Sequence, residues 1–172
     1  MIKDKNSVLV IAAHPDDEVL GCGGTIAKLS KKGIKVNILF ISNGVDSRDQ
    51  KNVKTKKKIL ERKKAAKLSS NILGAKKLAF ADLSDNKLDK YPLLKIVKII
   101  EKFIKKLKPK TVYTHFDNDL NIDHQIVNKA VVTATRPQKK SSVKNIFFFE
   151  SVSNKSNKLS AVNSEQLLKV CN

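Results

Sequence analysis

The chain predicts an open, mostly parallel α/β sheet of about five strands with helices on both faces. Three observations carry that expectation. Apolar runs of strand length alternate with segments of helix length. The first run, residues 7–13, is apolar almost throughout, as a central parallel strand buried on both faces must be. Polar, potentially reactive residues then collect just after the runs, and open α/β sheets bind ligands beyond the carboxyl ends of their strands. With 172 residues, 41% apolar and 30% charged, the chain has the size and composition of one globular domain.

In chain order, residues 7–13 are the first strand and lead into His14-Pro15-Asp16-Asp17-Glu18. Residues 21–32 read as a glycine-rich helix entry, with Gly33 as its C-terminal stop. Residues 36–41 are a second strand, followed by a loop at Asn43-Gly44. Residues 56–73 are a long basic helix closed by Gly74, and residues 77–81 a short third strand ending at Asp82. Residues 93–107 carry a broad apolar face at helical spacing, and Pro109 ends that helix. Residues 111–116 are the fourth strand and 117–123 a polar loop. Residues 124–135 are a helix with Asp123 as the expected N-cap, and residues 146–150 the fifth strand. The expected architecture is Rossmann-like, with right-handed crossovers. Residues 1–151 make one α/β domain; residues 152–172 read as a polar tail, partly disordered or a short helix.

The formal charge of +19 raises the question of nucleic acid, but all but three of the 35 basic residues are Lys, spread along the chain. Base and phosphate recognition favours the bidentate fork of Arg, so the charge is read as a lysine-rich solvated surface and no nucleic-acid partner is expected. No apolar run reaches the roughly 18–20 residues of a membrane span, and the N-terminus lacks the pattern of a signal peptide, so a cytoplasmic location is expected. Cys22 and Cys171 do not resemble a secreted disulfide framework.

One imidazole and three carboxylates within five residues, at the mouth of a buried strand, point to metal chemistry. His14 and Asp17 lie three apart on a tight turn and can reach one cation; catalytic zinc commonly takes three such ligands plus water. The third ligand has to come from another strand end, where His115 and His124 are the candidates. Zinc would acidify a bound water to a pKa of about 7 and polarise a carbonyl, leaving Asp16 free to act as general base. A His-Asp-His set also suits another divalent ion such as Fe2+.

Ala13-His14-Pro15-Asp16-Asp17-Glu18 with Gly21-Cys22-Gly23-Gly24 resembles the signature of the PIG-L/LmbE-like zinc de-N-acetylases. Thr114-His115-Phe116, Asp119 to His124 and Ala134-Thr135-Arg136-Pro137 extend the resemblance, which runs from about Val8 to Ser151. It implies His14, Asp17 and His124 as metal ligands, Asp16 as general base, and Asp123 as the acidic residue beside the ligand histidine. It further implies removal of acetyl from an N-acetylglucosamine-type sugar or conjugate, a small-molecule partner; membrane-surface association would follow if that substrate is lipid-linked. Where relatives place an oxyanion-stabilising histidine this chain has Asn121, so His115 is expected to share that role. The resemblance also implies a longer C-terminal part than this chain has, and so a shortened copy. A non-catalytic remnant, or an amidase on another small sugar or thiol conjugate, are the alternatives.

Arg62, Asn43 and Asp82 are further candidates for substrate contact, Arg62 by resemblance and the other two by their strand-end positions. Each has a plainer reading as surface residue, turn or cap. Glu18 is either a partner of the ligands or the first-turn acid of the helix. Gly21-x-Gly23-Gly24 is not a dinucleotide fingerprint, because Ile26 occupies the last glycine position; its glycines are expected to let the helix pack on the sheet.

Overall fold

The computed structural model describes residues 7–47, 53–137 and 141–151. The expected tail, residues 152–172, with Cys171 and the short helix read there, lies outside the described residues. Five strands form one sheet: β1 (Ser7–Ala12), β2 (Lys35–Ser42), β3 (Lys77–Leu83), β4 (Thr111–His115) and β5 (Asn145–Phe149). Their order is β3-β2-β1-β4-β5, and every pairing is parallel. Four α-helices connect them: α1 (Asp17–Lys31), α2 (Val53–Ile72), α3 (Leu93–Leu107) and α4 (Ile122–Ala134), with a 3-10 turn at Leu88–Lys90 that the sequence reading did not anticipate. No helix among the described residues is long and apolar enough to cross a membrane.

Alternation along β1 explains the two helical layers. Leu9, Ile11 and Ala13 belong to a core that includes Ile96, Val97 and Ile100 of α3 and Val127, Ala130 and Val131 of α4. Val8, Val10 and Ala12 turn to the opposite face, in a core with Cys22 and Ile26 of α1 and Ala66 of α2. Both faces are thus covered, which is why the run reads as apolar without a break.

Several boundaries differ from expectation, among them α2, which begins at Val53, and β3, which runs to Leu83; two of them shape the cleft. α1 starts at Asp17 rather than residue 21, so Asp17 and Glu18 form its first turn; a non-helical Cys22 kinks it. Its glycines divide: a Cβ on Gly21 would lie 2.2 Å from Phe149 Cδ2, whereas Gly24 faces open space, so Gly21 is the one that lets α1 approach β5. The N-cap of α4 is Asn121 rather than Asp123: the Asn121 side chain accepts the N–H of Asp123. That exchange frees the Asp123 carboxylate for a different task.

Strand order reverses its direction of growth between β1 and β4, whose carboxyl ends therefore open a crevice. His14 follows β1 and His124 lies in the first turn of α4, after β4. The fold brings them together across 110 positions of sequence.

Candidate metal centre and cleft

A cleft of about 200 Å3 opens at that crevice, lined by His14, Asp16, Asp17, Leu20, Gly44, Asp85, Asn86, Asn121 and His124. At its floor three atoms form a nearly equilateral triangle. His14 Nδ1 lies 3.3 Å from Asp17 Oδ2 and 3.3 Å from His124 Nε2, and His124 Nε2 lies 3.3 Å from Asp17 Oδ2. Nitrogen and oxygen ligands sit about 2.0–2.1 Å from zinc, so the edge of a tetrahedral ligand set is about 3.3–3.4 Å. The donors fit a small divalent ion in both spacing and chemistry.

In the neutral ring, reached once the inner nitrogen gives up its proton, the outer nitrogens fix the tautomers. His124 Nδ1 lies 2.9 Å from Asp119 Oδ2 and donates to it, which leaves Nε2 bare toward the triangle. His14 Nε2 lies 3.0 Å from Asp85 Oδ1 and 3.2 Å from Asp123 Oδ2, which leaves Nδ1 bare in the same way. Asp123 is itself held rigidly, since its fully buried carboxylate accepts the N–H groups of Asn86 at 2.8 Å and Leu88 at 3.0 Å. Asn86 reaches that position with a positive φ of 48°, which Asn tolerates better than most residues. Asp46 accepts the N–H of Asp85 and tethers the loop's other end.

Electrostatics follow from this crowding. Burial opposes charge on both histidines, but hydrogen bonds to Asp123, Asp17 and Asp85 push His14 up to about 11, and those to Asp119 and Asp17 push His124 up to about 9. Burial would raise Asp17, yet hydrogen bonds from His124 and His14 hold it well below the usual carboxylate range. Asp16 is raised by burial and by the charge of Asp17, against the pull of Arg62. Glu18 is pushed up to about 7 chiefly by burial, and neither of its oxygens has a hydrogen-bond partner.

The residues expected at the site divide. His14, Asp16, Asp17, Asn121 and His124 line the cleft, and Asp123 stands directly behind His14. Arg62 reaches the rim, its Nη1 3.0 Å from Asp16 Oδ2. Three expectations need correction. His115 does not line the cleft: it is fully enclosed, stacked 3.9 Å behind His124, and its Nε2 accepts the N–H of Ala13. Burial lowers its pKa to about 3, so it is neutral and has no proton to offer from Nε2. Asp82 pairs with Lys63 at 2.6 Å instead of lining the cleft, because an irregularity in the β2–β3 register and its own positive φ redirect the chain. Asn43 is buried and accepts the N–H groups of Val45 and Asp46, so it builds the turn.

Asp85 and Asp119 went unrecognised in the sequence. Asp119 opens the stretch that ends in His124, and only the folded loop shows that its carboxylate holds the His124 ring. Asp85 carried no local signal; the bulge in β3 and the grip of Asp123 on the next residues deliver it.

The PIG-L family profile, described as GlcNAc-PI de-N-acetylase, matches residues 9–135. Among proteins of known name, the chain is 29% identical over 137 residues to the uncharacterized deacetylase YaiS of Escherichia coli, covering 77% of this chain and 69% of that one. It is 39% identical over 85 residues to the diacetylchitobiose deacetylase of Thermococcus kodakarensis, covering 49% of this chain and 32% of the relative. It is 30% identical over 131 residues to a probable N-acetyl-alpha-D-glucosaminyl L-malate deacetylase of Bacillus cereus, covering 74% and 60%. The fold is that of the solved N,N'-diacetylchitobiose deacetylase from Pyrococcus horikoshii, with a TM-score of 0.72, 22% identity, and 96% of this chain matched to 68% of that one. A conserved Thermus thermophilus protein matches with a TM-score of 0.69 at 25% identity, covering 87% and 68%.

Proposed function

Because this chain belongs to the PIG-L family of de-N-acetylases, we propose that it is a metal-dependent hydrolase acting on an N-acetylated amino sugar or sugar conjugate. It would release acetate and leave a free amine. The observation that carries this reading is the triangle of converging ligand atoms, His14 Nδ1, Asp17 Oδ2 and His124 Nε2, with 3.3 Å edges at the cleft floor, the Asp17 oxygen being oriented by the His14 backbone N–H at 2.8 Å. A divalent ion held there, zinc or iron(II), would polarise the acetyl carbonyl and acidify water.

The remaining roles follow from position. Asp16 stands at the cleft beside Asp17 but keeps nearly half of its side chain exposed, so it can take the proton of an attacking water. The same carboxyl then returns that proton to the amine nitrogen as the C–N bond breaks, which balances the hydrolysis. Arg62 holds Asp16 in place and favours its ionised form, opposing burial and Asp17. Asn121 keeps its Oδ1 on the Asp123 N–H, so its amide NH2 is the side-chain donor on that wall for the carbonyl oxygen. Asp119 and Asp123 orient the two imidazoles. The cleft is smaller than the roughly 300 Å3 at which small-molecule sites begin, which suits the acetamido end of a sugar with the rest of a conjugate outside.

The test is acetate release from a panel of N-acetylated sugars, sugar conjugates and thiol-sugar conjugates. It is run after chelation, after readdition of Zn2+ or Fe2+, and with His14→Ala. Metal-dependent release that His14→Ala abolishes supports the reading. Protein that retains no divalent metal, or release unaffected by chelation and by His14→Ala, refutes it.

A further inference from the structure

The long helix α2 is inside out. Its buried residues are small or polar, Thr55, Ala66 and Ser70. Of its five large aliphatic side chains only Ile59 is half-buried, and the other four face solvent: Val53 is 83% exposed, Leu60 60%, Leu68 64% and Ile72 78%. At about 100° per residue these four fall in one sector of roughly 120°, opposite the buried face. Lys57, Lys64 and the helix's one acid, Glu61, lie within that sector, with Lys54 and Lys67 at its edges. Across the helix eight basic residues stand against that one acid.

A solvated surface helix carries its aliphatic residues inward and gains nothing from four of them outside. Among the described residues nothing covers this stripe, and an aliphatic surface threaded with lysines is matched by a partner that is apolar in depth and anionic at its surface. A second copy of the chain supplies apolar contact but brings the same positive charge, at a formal +19 per chain. Nucleic acid supplies phosphate but no apolar layer, and the helix's one arginine, Arg62, is already engaged by Asp16. An anionic bilayer supplies both, its headgroups meeting the lysines and its acyl boundary the aliphatic stripe.

We infer that the outward face of α2 is a docking surface for anionic lipid membranes, on which the protein lies peripherally. Arg62, on the flank of the same helix, reaches the rim of the metal cleft, so docking would fix the cleft mouth at a set position near the headgroups. The inference rests on the helix surface and holds whatever the cleft hydrolyses.

Co-sedimentation with phosphatidylcholine vesicles, with and without phosphatidylglycerol, tests it. The wild type is expected to bind only the vesicles containing phosphatidylglycerol, and to release as salt is raised. Combined Leu60→Ser, Leu68→Ser and Ile72→Ser leave the charge unchanged and are expected to weaken binding at least about ten-fold. Lys57→Glu with Lys64→Glu is expected to weaken it about as much. Circular dichroism and bound metal should be unchanged in both variants, since every altered side chain is exposed. Failure to bind anionic vesicles at low salt overturns the inference, as does binding that the serine variant retains in full. So does a wild-type dimer that the serine substitutions convert to monomer, or random duplex DNA that displaces the protein from vesicles with the serine variant binding it equally well.

Discussion

At the level of single residues, the centre separates groups that would touch the ion from groups that orient them. Asp16→Asn keeps the shape of the rim but cannot accept a proton. Acetate release is expected to fall about 10²–10⁴-fold with metal content unchanged, measured on the same preparation by turnover and elemental analysis. Asp119→Asn removes the ionised acceptor of His124 Nδ1, which lies 2.9 Å away, and frees that ring to change tautomer. Metal affinity is expected to drop about 10–100-fold by competition with a chromophoric chelator, while the fold persists. His115→Phe should have a smaller effect on turnover than His14→Ala, because His115 faces the Ala13 N–H and not the cleft.

Elements carry a different kind of constraint, set by close approach and capping. Gly21→Ala would place a methyl 2.2 Å from the Phe149 ring, so α1 and β5 must separate or the ring must move. A loss of about 1–3 kcal/mol in urea unfolding is expected, partly recovered by Phe149→Leu. Asn121→Ala removes the cap of α4 and is expected to cost about 1 kcal/mol, whereas Asn121→Asp keeps the cap. Turnover should separate the two losses: if the amide NH2 of Asn121 serves the acetyl oxygen, the aspartate variant stays folded but loses activity.

For the molecule as a whole, the proposed metal loading would be linked to pH through His14 and His124. Both hold protons above the ordinary imidazole range in the metal-free protein, His124 to about 9 and His14 to about 11. A divalent ion must displace them, so loading at neutral pH is expected to release protons and affinity to rise with pH; calorimetry in buffers of different ionisation enthalpy measures the number. Raised folded-state values have a second consequence. Their contribution to stability is complete below about pH 6.5 and is lost as pH rises through about 9 and then toward about 11. The metal-free protein should therefore lose Tm between about pH 6.5 and 9, and the metal-loaded protein should not.

Local sequence determined the strands and helices, because burial on one or both faces writes itself into apolar periodicity. It also determined His14, Asp16 and Asp17, which share one turn after a buried strand, and it offered His124 at the opposite strand end. Tertiary structure decided what no spacing could. Register and a bulge turned Asp82 toward Lys63 and put Asp85 on His14, and the Asn121 cap released Asp123 to hold the 86–88 loop. Stacking behind His124 withdrew His115 from the cleft, although by composition alone it was as good a ligand. The physical reason is range. Periodicity and capping act over a few residues, whereas the His14–Asp17–His124 cluster depends on distances of about 3.3 Å between atoms over 100 residues apart, fixed only when the sheet closes around them.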